Sequence, residues 1–262
     1  MSERWIDLVG AVNVRDLGGL PTTDGGATRF GRVLRSDNLQ DLLDDDIRVL
    51  TGEHGLRDVV DLRTTFEVTS EGPGPLHRVP EVTVHHLSLY PEVGRTTDVE
   101  ADGVLPWTGG NDAIWVDTGV YYTNYLRNRP GNVVAALRTM TASDGATLVH
   151  CAAGKDRTGV VCALALTVAG VERQAVVDDY VQTGERIDAI MSRLKATPTY
   201  AADLEGRPNE ENLPRAESMH TFLDFVETQF GGAEGWLGLH GWTADDSAAL
   251  RTHLVDSAER PA

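Results

Sequence analysis

Cys151 and Arg157 stand six positions apart in the stretch Val149-His150-Cys151-Ala152-Ala153-Gly154-Lys155-Asp156-Arg157-Thr158-Gly159. The apolar run Ala146 to Val149 reads as a strand entering it, and Val160 to Ala169 as a buried helix leaving it. In a strand-loop-helix turn, the loop N–H groups and the first unpaired helix N–H groups point into one concavity, to which the helix dipole adds positive charge. A phosphate fits such a cradle. The same donors favour a thiolate over a thiol, which would make Cys151 a nucleophile at neutral pH. By average residue usage the pattern arises by chance on the order of once in a million chains of this length, which outweighs the bland reading of Cys151 as a small buried hydrophobe.

Each neighbour then has chemistry to do. Cys151 would attack a phosphate monoester in line and form a phosphocysteine, splitting the reaction into two easier steps. Arg157 would present a planar fork to two phosphoryl oxygens. The backbone N–H groups of Ala152, Ala153, Gly154, Lys155, Asp156 and Arg157 would hold the equatorial oxygens. Thr158 can donate its hydroxyl to the thiolate or the leaving sulfur, and His150 braces the loop. Asp156 is one candidate for the acid that protonates the leaving oxygen, although neighbouring cations would keep it ionised; Asp61 and the acids Asp98, Asp102, Asp112 and Asp117 are others. Lys155 either holds a second anionic group or gives general electrostatic support. The reaction needs no cofactor, and no metal-ligand spacing is present.

The elements that must position these residues can be read from the rest of the chain. Arg32 to Asp37 is a short strand; Arg57 to Leu62 is a compact apolar one that delivers Asp61 and Arg63 at its carboxyl end, where ligands bind in open α/β sheets. Val82 to Leu89 reads as a third strand, in which His85 and His86 face opposite ways and serve packing or surface roles. Asp41 to Glu53 suits a helix whose Asp44-Asp45-Asp46 forms a solvated face rather than a metal site. Val93 to Asp117 is a long polar loop, followed by helices over Thr118 to Asn128 and Gly131 to Thr141, with Pro130 between them. Beyond the central helix, where Cys162 is a core residue, Arg173 to Leu194 is amphipathic and Ala196 to Pro214 turns polar. A helical excursion over 172–215 ending in a flexible tip would suit a cover over the site. Helices over Ala216 to Phe230, 231–241 and Thr243 to Val255 complete a single domain spanning 1–262. The expected fold class is α/β, a central mostly parallel sheet flanked by helices.

These motifs together resemble the cysteine-dependent protein tyrosine and dual-specificity phosphatases, whose signature is Cys-x5-Arg-Ser/Thr. The closer resemblance is to their bacterial, lipid-active branch, with its loop His-Cys-x-x-Gly-Lys-Asp-Arg-Thr-Gly. Asn13-x-Arg15-Asp16-x-Gly18-Gly19 followed by Leu34-Arg35-Ser36 is similar to that branch's amino-terminal signature, in which Arg15, Asp16, Arg35 and Ser36 are expected to be mainly scaffold. Asp61-Leu62-Arg63-x-x-x-Glu67 looks like its second motif, in which Arg63 and Glu67 brace the site wall. Glu92 falls where that branch carries an Asp, and the resemblance makes it a second candidate acid. Loops with this Lys155 are associated with phosphoinositide or broad specificity.

Composition bounds the rest. A net charge of -17 over 262 residues excludes nucleic acid as a partner and works against anionic membrane surfaces. Lysine occurs only at Lys155 and Lys195, so one of the two lies in the loop. Two cysteines give no disulfide framework, and a working thiolate needs a reducing compartment. With no signal peptide at Met1 to Ile6 and no stretch of membrane-spanning length, the expected location is cytoplasmic, an export route without a signal remaining open. Expected substrates are a phosphorylated protein, a phosphoinositide, or a nucleotide or other small phosphate ester, and oligomeric state is not legible. A sulfur-transfer or arsenate-reducing enzyme would need further cysteines. A non-catalytic phosphate-binding module would not need both Cys151 and Arg157.

Overall fold

The computed structural model describes residues 4–90 and 118–256. Five strands form the central sheet: β1 (Arg15–Asp16), β3 (Val33–Ser36), β4 (Leu56–Asp61), β5 (Thr83–His86) and β6 (Ala146–His150). Their order is β1-β3-β6-β4-β5, parallel throughout except for the antiparallel β1 edge. A separate two-stranded ribbon pairs β2 (Ala27–Thr28) with β7 (Val255–Asp256). The architecture is the mostly parallel α/β sheet expected from the sequence.

The strand sequences explain why the sheet is buried on both faces. Alternate residues point to opposite sides, and Val33, Val60 and Val149 join one apolar cluster while Leu34, Val59 and Leu148 join another. Such two-sided burial demands nearly continuous apolar strands. The first cluster is built around the helix α5 (Asp156–Ala169), buried along its length except at Thr167 and ended by Gly170 in the left-handed conformation. Packed on the same side are α3 (Thr118–Asn128), α4 (Pro130–Thr139), α6 (Arg173–Gln182) and α9 (Ala216–Phe230), with α10 (Ala233–Gly238) and α11 (Ala244–Leu254) completing the layer. The other face is covered by the amino-terminal segment and by α1 (Asp44–Arg48).

Four local readings change. The helix expected over Asp41 to Glu53 is α only at Asp44–Arg48 and continues as a wider π turn at Val49–Glu53. Asp46 is not on a solvated face: its buried carboxylate accepts from the backbone N–H groups of Val9, Gly10 and Leu43. Burial works against its charge, but those three amides outweigh it and lower its pKa. The third strand is confined to Thr83–His86. The polar stretch after Ala196 is not a flexible tip but contains the helix α8 (Pro198–Leu204), started by Pro198 at its first position.

Of the 172–215 excursion, α6 belongs to the principal core through Val176, Val177 and Tyr180. The part lying on the Cys151 loop is α7 (Ile187–Ala196) with α8. Ile187, Ile190, Met191, Leu194 and Leu204 form a third apolar cluster with Ala152 of the loop itself.

Candidate active site

Register brings Ser36, His150 and Asp61 level at the carboxyl ends of adjacent strands β3, β6 and β4. The loop 151–155 leaves β6 at this edge and turns directly into α5, so the cradle stands on the most buried helix of the domain. Gly154 makes the turn with φ +66, and a Cβ there would lie 2.3 Å from the Ser36 carbonyl oxygen. No other residue fits that position without moving β3. Cys151 is 2% exposed.

Arg157 faces Glu67 of α2 (Thr65–Glu71), its Nη1 donating to Oε2 at 2.6 Å and its Nη2 to Oε1 at 2.9 Å. The guanidinium also lies 5.4 Å from the ring centre of Tyr90. Glu67 is fixed in turn as the third residue of its helix, where Oε2 accepts from Thr64 N–H at 2.6 Å while Thr64 caps Glu67 N–H. Glu67 thus does more than brace a wall: it aligns the loop arginine. Glu67 and the Leu62 carbonyl, 3.4 Å from Nη1, take three of the five guanidinium N–H groups, which leaves two for an anion.

Lys155 Nζ donates to the Asn212 carbonyl at 2.9 Å and stands 3.6 Å from Asp156 Oδ1. Asp156 Oδ1 accepts from Tyr122 Oη at 2.5 Å, and Tyr122 Oη pairs with Tyr180 Oη at 2.7 Å. From the covering side, Tyr200 Oη donates to Glu67 Oε1 at 3.0 Å. A cavity of about 50 Å³ remains, bordered by Cys151, Arg157 and Asp156 below and by Tyr125, Met191, Leu194, Tyr200 and Leu204 around.

The sequence matches the tyrosine phosphatase family over residues 6–256. The chain belongs to the tyrosine phosphatase family. It is 32% identical to a protein of Mycobacterium tuberculosis named triple specificity protein phosphatase PtpB, over 88% of this chain and 92% of that protein. A tyrosine-protein phosphatase of Nostoc commune is 27% identical over 76% of this chain and 66% of its own. The resemblance to the bacterial tyrosine and dual-specificity phosphatases therefore holds, and with it a phosphatase activity on phosphorylated substrates.

Within this tyrosine phosphatase, the other expected site residues fall as follows. His150 lies behind the loop, Nδ1 3.3 Å from the Cys151 carbonyl oxygen and Nε2 3.6 Å from Asp61 Oδ1. Burial lowers its pKa to about 4, so the ring is neutral at ordinary pH. Burial works against the charge of Asp61, yet His150 and the doubly bonded Arg63 hold its carboxyl well below the usual carboxylate range. Asp61 is paired with Arg63 as its counter-ion. Arg63 reaches the loop through Asp61 and His150 and, on its other side, through Asn38, whose N–H meets the Ala152 carbonyl; it also pairs with Glu71. Among the described residues, Thr158 Oγ1 is buried with no hydrogen-bond partner, Cys151 included. His85 and His86 bond to Asp58 and to the Arg63 carbonyl, away from the cavity. Burial pushes the Cys162 thiol up to about 11, as suits a core residue. Glu92, Asp98, Asp102, Asp112 and Asp117 lie outside the described residues.

Six cavity residues escaped the sequence: Met191 and Leu194 of α7, Tyr200, Asp203 and Leu204 of α8, and Asn212, whose carbonyl meets Lys155. They carry no motif and come to the site only through the fold. The start of α8 at Pro198 was the one available signal. Among the described residues no group of three or more metal-ligating side chains converges, and no helix is long and apolar enough to cross a membrane.

Proposed function

We propose that this phosphatase hydrolyses aryl phosphate monoesters, phosphotyrosine foremost, through a phosphocysteine on Cys151. The observation that carries this reading is a buried thiol and a guanidinium on one loop, in a cavity whose other walls are the aromatic and aliphatic side chains of Tyr125, Tyr200, Met191, Leu194 and Leu204. An aromatic ring matches such walls, and the loop matches its phosphate.

In the first step the Cys151 thiolate attacks phosphorus, the S–P bond forms, and the bond to the leaving oxygen breaks with its electron pair on that oxygen. Arg157, aligned by Glu67, and the loop amides hold the three equatorial oxygens. Asp156, once it has taken a proton from solvent against the pull of Lys155 3.6 Å away, passes it to the leaving oxygen, its carboxyl being positioned by Tyr122. Water then attacks the phosphocysteine, inorganic phosphate leaves and the thiolate is restored. His150 and Asp61 stay out of the proton traffic and support the loop from behind.

The covering helices α7 and α8 act as a lid. A cavity of about 50 Å³ is well below the ~150 Å³ that takes a benzene ring, so it holds a few waters and not an aryl ester. Substrate entry therefore requires release of Tyr200 from Glu67 and of Asn212 from Lys155. Broader specificity, as named for the Mycobacterium tuberculosis relative, is supported by Lys155, which a second anionic group could take from the Asn212 carbonyl. The two cysteines are free thiols, and we assign the enzyme to a reducing, cytoplasmic setting.

The test is turnover by the wild type and Cys151→Ser on a panel of phosphotyrosine and phosphoserine peptides, phosphoinositides and nucleotides. Wild-type turnover greatest on phosphotyrosine, and none by Cys151→Ser, is the expected result. Undiminished turnover by Cys151→Ser would sink the mechanism; a preference for another substrate would sink the specificity.

A further inference from the structure

The mechanism above needs the loop amides to face inward, and nothing in the loop itself makes them do so. A trans peptide is planar, so the carbonyl of one residue and the N–H of the next point in opposite directions; no cis peptide interrupts the described chain. Whatever holds the loop carbonyls outward therefore aims the amides. Three consecutive carbonyls are held, all by the amino-terminal segment. Asn38 N–H donates to Ala152 O at 2.9 Å. Asn13 Nδ2 donates to Ala153 O at 2.9 Å and to Gly154 O at 3.3 Å. Arg35 Nη2 donates to Gly154 O at 2.8 Å. The amides that follow, those of Ala153, Gly154 and Lys155, meet no protein acceptor among the described residues.

The holders are themselves immobilised. Asn13 Oδ1 accepts from Arg15 Nη1 at 2.5 Å, which fixes the amide orientation, since only its Nδ2 can serve two carbonyls. Asp37 Oδ1 accepts from the backbone N–H groups of Val12 and Asn13, both at 3.0 Å. Arg35 Nη1 and Arg15 Nε are both bonded to Asp179, on α6. Every side chain in this set is buried, Asn13 and Arg15 completely.

The geometry points to Asn13 and Arg35 as positioning residues for catalysis: they are not mainly scaffold but hold the loop carbonyls back so that three amides are preorganised for the equatorial phosphoryl oxygens. The inference rests on the proposed phosphocysteine chemistry. An asparagine is required because an aspartate would set a carboxylate against two carbonyl oxygens, and an apolar residue would leave Ala153 O unpaired and its peptide free to rotate. Preorganised donors matter most where charge develops, in the five-coordinate transition state.

The experiment compares the full-length wild type with Asn13→Ala for aryl phosphate turnover, inhibition by orthovanadate and by inorganic phosphate, and heat denaturation, with rates expressed per folded enzyme. Vanadate copies the five-coordinate geometry, whereas phosphate copies the ground state. Loss of aim by the loop amides is expected to lower kcat and vanadate affinity together by about 10- to 100-fold, with KM and phosphate inhibition little changed. A merely structural role would lower the melting temperature and leave those ratios alone. If Asn13→Ala does not fold, Arg35→Lys replaces it, since a point-charge ammonium does not reproduce the planar fork that spans Asp179 and the Gly154 carbonyl; the same signature is expected. Folded variants with kcat and vanadate inhibition within about twofold of wild type would overturn the inference. So would failure of both variants to fold, because the residues would then hold up the domain rather than aim the loop. A wild type inert toward aryl phosphates would instead defeat the reading of the site and is seen before any variant is made.

Discussion

Glu67 is the residue on which most of the site converges. Its two carboxylate oxygens serve Arg157, Tyr200 and the start of their own helix at once. Burial works against its charge, but Arg157 outweighs that and lowers its pKa. Glu67→Gln keeps the shape and removes the charge, leaving a buried guanidinium without its counter-ion. Breaking a buried pair from one side costs about 3–5 kcal/mol, so the variant is expected to melt well below the wild type. Misalignment of the fork should also lower kcat/KM about 10- to 100-fold, read with an aryl phosphate below the melting range. The proton donor is tested at the same scale. Loss of a general acid costs about 10²-fold or more and removes the basic limb of the pH profile. Asp156→Asn is expected to show both effects, with the deficit growing as the leaving group becomes more basic, while Asp203→Asn keeps the basic limb. The reverse result would move the proton donor to α8.

At the scale of elements, the question is what holds α7 and α8 over Cys151. Their apolar contacts with Ala152 are supplemented by the Tyr200–Glu67 and Lys155–Asn212 bonds and by Arg193 of α7, which pairs with Asp37 and Asp41. A hydrogen bond to a charged partner contributes about 1.5–3 kcal/mol. Tyr200→Phe is therefore expected to raise the alkylation rate of Cys151 by iodoacetamide at least about 10-fold while the melting temperature falls by no more than about 10 °C. An unchanged rate would mean that the cover is held by its apolar contacts alone. The same elements separate what the sequence made legible from what it did not. The loop could be read because its thiol, glycine and guanidinium lie within a single turn, and a local motif keeps its spacing in the chain. α8 could not: 196–214 is polar and broken by prolines, and a helix forms there because Tyr200 and Leu204 find partners across the site. Asn13 and Arg35 were visible as part of a signature, but their action on the loop carbonyls depends on β3 lying beside β6, which no local pattern encodes.

Across the whole molecule, buried ion pairs tie the amino-terminal segment to the site from both sides. Asp179 of α6 gathers Arg4, Arg15 and Arg35, and burial of its charge is outweighed by those three cations, so its carboxyl stays well below the usual range. Asp61 is held down in the same way, and both contribute stability that is lost only when pH falls below the ordinary carboxylate pKa. His150 acts earlier. Burial lowers its pKa from 6.5 to about 4, so the unfolded chain binds a proton across that window while the folded chain does not. Stability must then fall as pH drops from about 6.5 towards 4, by on the order of 3 kcal/mol from this one group, and level off below it. Urea denaturation at several values between pH 7.5 and pH 4 should show that loss in the wild type, before Asp61 and Asp179 begin to protonate. His150→Asn, which has nothing to titrate, is expected to be less stable at pH 7.5 but to have a flatter profile between pH 6.5 and 4.5. An equally steep profile in the variant would assign the acid sensitivity to the other buried carboxylates, and a loss confined to pH below 4 would mean that His150 is protonated in the folded enzyme as readily as in the unfolded chain.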